Sequence, residues 1–87
     1  MSIREKVTGA LTLPKEIALD LPLVTALGRG EVSIENYKNL LAFTDTRIRI
    51  HTSSGLLTIE GARLQLKQIT TETLVITGQI TSVNWGD

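Results

Sequence analysis

Between Val32 and Ile80 the apolar residues of this chain repeatedly fall on alternate positions. Val32 and Ile34 alternate with Ser33 and Glu35, and Ile48 and Ile50 alternate with Arg47, Arg49 and His51. The pairs Leu57/Ile59, Leu64/Leu66 and Leu74/Ile76 repeat the pattern. Successive side chains of a strand point to opposite faces, so each run predicts a strand with one buried face. Gly28-Arg29-Gly30, Thr44-Asp45-Thr46 and Ser53-Ser54-Gly55 read as turns between these runs. Gly61 reads as a bulge or turn, and Gly78 as the end of a strand before Ile80, Val83 and Trp85. Upstream, Ile17, Leu19, Leu21 and Leu23 predict a further extended segment, in which Pro22 lacks an amide donor and marks an edge or a bulge; a short helical turn over Pro14 to Ile17 is the competing reading. Leu41 and Phe43 add one more strand. The sum is about seven to eight short strands rich in β-branched residues, an all-β sandwich, roll or small barrel.

The first residues follow a different period. Ile3, Val7, Ala10 and Leu11 lie on one stripe of a helix, Ser2 and Glu5 form an S-x-x-E capping box, and Leu13-Pro14 stops the run. The division expected is therefore an N-terminal helix over residues 1–13 and a single β domain over residues 14–87. Within the latter, residues 33–36 echo residues 58–61, and residues 45–52 echo residues 71–78. Recurring hairpins of equal length account for this, and a short β-solenoid-like stack completed by neighbouring copies is the alternative.

Composition narrows the function classes. Eighty-seven residues allow one small domain, and one each of Phe, Tyr, Trp and Met leaves Leu, Ile and Val to build the core. The absence of Cys excludes disulfides, a thiolate nucleophile and Cys-based zinc sites. Nine basic residues against nine acidic ones argue against a dedicated nucleic-acid binder. No run is long and apolar enough for a membrane span, and the N-terminus lacks the apolar region of a signal peptide, so a soluble cytoplasmic protein is expected.

Candidate chemistry is sparse. His51 is the sole histidine, and Thr52 beside it points to the other face, so no nucleophilic pair is implied. Gly28-x-Gly30 lacks a third glycine and opens a strand, which excludes a phosphate loop. Glu35 and Glu60 occupy like positions in the echoed segments, but nothing in the sequence draws them together, and no metal or cofactor set emerges. The one binding feature is a basic stripe of Arg47, Arg49, Arg63 and Lys67, able to meet an anionic ligand, a membrane surface or nucleic acid, although the face lacks the aromatic platforms of single-strand binders.

Several blocks in series carry a family resemblance: Leu13-Pro14-Lys15-Glu16, Leu19-Asp20-Leu21-Pro22, Ile34-Glu35-Asn36, Arg47-Ile48-Arg49-Ile50, Ile59-x-Gly61 and Ile76-x-Gly78-x-Ile80. In their order and spacing they resemble the YabP/YqfC family of sporulation proteins, the YqfC branch in particular. One departure is Gly28-Arg29-Gly30, where a single glycine is expected. The resemblance implies a non-enzymatic protein of the mother cell, a structural or assembly factor in spore development. It also implies a membrane protein partner and a peripheral location at the forespore-enclosing membrane. The leftover strand edges of so small a domain add self-association to that expectation.

Overall fold

The structure is a computed structural model that describes residues 19–86. The helix expected over residues 1–13, and the boundary that follows it, lie outside the described residues. The described chain is all-β and consists of six strands. They are β1 (Leu23–Leu27), β2 (Glu31–Glu35), β3 (Asn39–Phe43), β4 (Arg47–Thr52), β5 (Gly55–Ile69) and β6 (Thr73–Gly86). All pairings are antiparallel, and the order in the one sheet is β1-β2-β6-β5-β4-β3.

Six strands replace the seven or eight expected because two apparent strand breaks are internal. Gly61 lies within β5 and Gly78 within β6, where the register shifts between Glu60 and Gly61 and again between Ala62 and Gln65. A bulge bends a strand without ending its pairing. Arg63 and Gly78 both adopt positive φ at this bend, 55° and 142°. The start of the extended segment expected from Ile17, and the competing helical turn over residues 14–17, lie outside the described residues. Asp20 turns the chain with φ 57°, and β1 starts only at Leu23, after Pro22.

The bend divides the sheet into halves. In the first, β1 and β2 pair with the opening of β6, and residues 65–69 of β5 form the far edge. In the second, β3 and β4 pair with the opening of β5, and residues 82–86 of β6 form the far edge. Ten apolar side chains form one buried cluster. Val32, Ile34, Leu74 and Ile76 come from the first half, Ile48, Ile50, Leu57 and Ile59 from the second, and Leu64 and Ile80 from the bend. A flat sheet leaves a whole face in water, so burial in both halves requires them to face each other across the bend. Among the described residues the sheet stays open and does not close into a barrel.

The halves repeat each other, in a phase the sequence echo misses. Val32 opposes Ile76 as Ile48 opposes Ile59, and Ile34 opposes Leu74 as Ile50 opposes Leu57. The turn before β2 offers the carbonyls of Gly30 and Arg29 to the amides of Gly78 and Ile80. Likewise the turn before β4 offers those of Thr46 and Asp45 to the amides of Gly61 and Leu64. The structural equivalents are thus β2 with β4 and β5 with β6, whereas the echo aligned β2 with β5 and β4 with β6.

Candidate interaction surfaces

The four residues of the expected basic stripe are distributed over the bent sheet. Arg47 and Arg49 share the outer face of β4, Arg63 stands at the bulge of β5, and Lys67 belongs to the other half. Arg47 contacts Glu60 at 3.1 Å, and Glu60 also accepts a hydrogen bond from the Ser82 hydroxyl. Lys67 lies 3.7 Å from Glu31. The structure therefore brings Arg47 and Arg49 together, and it ties Arg47 and Lys67 to carboxylates.

His51 is exposed on that outer face, while Thr52 is buried, its hydroxyl donating to the Gly55 carbonyl and accepting from the Ser54 amide. The Ser53 hydroxyl donates to the Asp20 carbonyl. The serines beside His51 thus serve a turn. Glu35 and Glu60 lie in different halves of the sheet. Among the described residues, no group of three or more His, Cys, Asp or Glu could hold a metal ion. A shallow depression at the bend is lined by Arg29, Gly30, Gly78, Gln79, Ile80 and Thr81. Its Gly78 and Ile80 amides already donate to Gly30 and Arg29, so it offers no cradle of free amides.

Two of the sequence blocks that carry the family resemblance meet in space. Asn36, at φ 62°, donates from its side-chain amide to the Asp20 carboxylate at 3.0 Å and to the Leu21 carbonyl at 3.1 Å. Lys38 Nζ lies 2.8 Å from the same carboxylate. This clasp fixes the chain entering β1 onto the β2–β3 connection. The Lys38 and Asn36 hydrogen bonds hold the Asp20 carboxyl below its ordinary value of 3.8, and the Lys38 charge acts in the same direction. Folding therefore lowers this pKa. The clasp's stabilisation is complete above the unfolded value and is lost as the pH falls through the folded one. Asp20→Asn keeps a residue tolerant of positive φ and removes the charge. It should be less stable than the parent at neutral pH, with the gap closing below about pH 4. Urea unfolding across pH checks this; a gap independent of pH would dissociate the clasp from the carboxylate charge.

The remaining surface feature is unpaired sheet edge. Among the described residues, β1 pairs only with β2, and β3 only with β4. Residues 65–69 and 82–86 each lie at the end of a half-sheet. Such edges present main-chain donors and acceptors that another strand can satisfy. Exposed apolar residues stand beside them: Leu27 is 71% exposed on β1, and Val83 and Trp85 are 38% and 51% exposed on β6. The sequence reading placed Val83 and Trp85 in strands but could not see that β6 is an edge there. That depends on β2 pairing no further than Thr77.

Fold and surface together define a small all-β domain that presents strand edges and, among its described residues, no assembled reaction centre. The sequence model of the YabP family matches residues 22–87, the whole of this sheet. The chain is also 33% identical, over 78 residues, to a protein of Bacillus subtilis (strain 168) described as uncharacterized protein YqfC. That match covers 90% of this chain and 84% of the relative. The chain belongs to the YabP family, and its similarity to YqfC extends over nearly its full length. No helix among the described residues is long and apolar enough to cross a membrane.

Proposed function

We propose that this protein is a non-enzymatic assembly factor of the sporulation programme. It acts in the mother cell, at the forespore-enclosing membrane, by docking on a membrane protein. The observation that carries the reading is the open sheet: a domain with a buried apolar core in which β1 is unpaired on one side among the described residues, with Leu23 and Leu27 exposed along its outer face. An added strand gains main-chain hydrogen bonds from such an edge and specificity from the side chains flanking it. Here those are leucines opposed by Glu35 and by Glu31, whose carboxylate Lys67 already approaches, which suits an apolar partner segment with a basic residue near Glu35. Family membership supports the sporulation setting.

The test is a chromosomal Leu27→Lys substitution, compared with deletion, in a spore-forming host. Deletion should reduce heat-resistant spores. Leu27→Lys should reduce them nearly as far while the protein accumulates normally, because a lysine on an edge strand opposes pairing without touching the core. Crosslinking from this edge should recover a membrane protein from the parent strain and lose it in the variant. Normal spore yield on deletion would remove the sporulation role, and undiminished crosslinking in the variant would remove β1 as the docking edge.

A further inference from the structure

The apolar core of the second half-sheet is laid out in rows that run across its strands. Directly opposed residues of an antiparallel pair share a face. One row runs Leu40, Ile50, Leu57, Trp85 and the next runs Phe43, Ile48, Ile59, Val83. Their central members are fully buried, yet at the β6 end both rows stop at half-exposed side chains, one of them the only Trp in the chain. Beyond them the edge of β6 is unpaired among the described residues.

We propose that a second copy of this chain pairs with β6 along this edge, antiparallel, with the two-fold axis passing through Asn84. In that register Val83 of each copy lies opposite Trp85 of the other, and both rows continue from one core into the next. The contact is isologous and closes with two copies. An aromatic residue beside a β-branched one is a favourable cross-strand pair.

Charge supports a second copy as the occupant. Residues 82–86 carry no charged side chain. On the outer face, the row Arg47, Glu60, Ser82 of one copy would continue into Gly86, Leu56, His51 of the other, so no like charges are opposed. The other edges are guarded or extend nothing. Residues 65–69 carry Lys67 at a bulge, and the β3 edge is interrupted by a register shift between Leu40 and Ala42. The core-facing residues of β1 are the small Val24 and Ala26, so a copy added there prolongs no row of large side chains. A contact of five strand residues per copy is smaller than the about 800 Å² per partner of a standard stable interface, so the dimer is expected to be weak and to form only at high concentration. The inference rests on the premise of the assembly reading that unpaired edges are contact surfaces.

The test uses the whole chain. Sedimentation from about 10 µM to 1 mM should show a monomer–dimer equilibrium, and Trp85 emission should shift to the blue as dimer forms. Asn84 is exposed on the outer face, so Asn84→Lys and Asn84→Glu leave the core intact, which an unchanged thermal melt verifies. Each substitution places like charges face to face at the axis and should weaken self-association about tenfold or more. An equal mixture of the two should pair at least as well as the parent. A parent that stays monomeric at 1 mM, single variants that dimerise normally, or a mixture no better than its components would each overturn the proposal. So would a parent that is monomeric alone but captures a strand of its membrane partner on this edge. A sporulation defect with a strictly monomeric protein would defeat the dimer and spare the assembly role; a dimer with no sporulation phenotype would do the reverse.

Discussion

Ile48→Lys should abolish the folded state. Ile48 is 0% exposed in the middle of β4, with Ile59 opposite it on one side and Phe43 on the other. The exchange forfeits about 2–3 kcal/mol of apolar burial. It also places an ammonium group where the neighbouring side chains offer no partner, costing several kcal/mol more. A domain of this size has about 4–13 kcal/mol of total stability, so the sum consumes most or all of it. Loss of the cooperative urea transition, with a collapsed near-ultraviolet circular dichroism spectrum, is the expected outcome; a transition at the parent's midpoint would mean that the inward face of β4 is wrongly assigned. Leu66→Lys should be milder, about 1–2 kcal/mol. Leu66 is only half-buried in the edge segment of β5, and a lysine there can extend its ammonium to water.

The contrast between Ile48 and Leu66 also shows which parts of the fold the sequence discloses. Both residues lie in equally clear alternating runs, and alternation correctly assigns the inward side of β2, β4 and the first halves of β5 and β6. Alternation carries no information on how deep a strand lies in the sheet. That is why Leu66 and Ile48 look alike in sequence. Nor does it distinguish a glycine that ends a strand from one that bends it. Gly61 reads in sequence as a bulge or a turn and Gly78 as a strand end, and only their pairing with Ile80 and the Gly30 carbonyl reveals continuous strands. The clasp was hidden for a related reason. Asp20 and Asn36 belong to separate blocks, and their hydrogen bond depends on β1 folding back along β2. The basic residues were visible as types, but their partners Glu60 and Glu31 come from neighbouring strands whose register the sequence does not state.

Those bending glycines carry the other large expected effect. A Cβ on Gly61 would lie 2.0 Å from the Gln79 carbonyl oxygen, 2.9 Å from its carbon and 3.1 Å from Ile80 Cα. All three are backbone atoms, so no side-chain rotation relieves the contact, and β5 and β6 must separate at the bend. Separation strains the hydrogen bond that the Gly61 amide donates to the Thr46 carbonyl, and with it the turn that starts β4. Gly61→Ala should therefore cost about 2–4 kcal/mol, the range of an overpacked core. Gly78→Ala should cost a similar amount for two reasons: its φ of 142° disfavours a side chain, and its Cβ would lie 2.7 Å from the Arg63 carbonyl oxygen. Gly30→Ala, whose Cβ would meet only the Gly78 carbonyl oxygen at 3.8 Å, should stay within about 0.5 kcal/mol of the parent. Because Gly61 and Gly78 strain the same bend, the double variant should lose less than the sum of the single losses. Denaturant midpoints of the four variants decide the matter. If Gly61→Ala matched Gly30→Ala, the strands at the bend would lie farther apart than this structure has them, and the facing of the two half-sheets would need another cause.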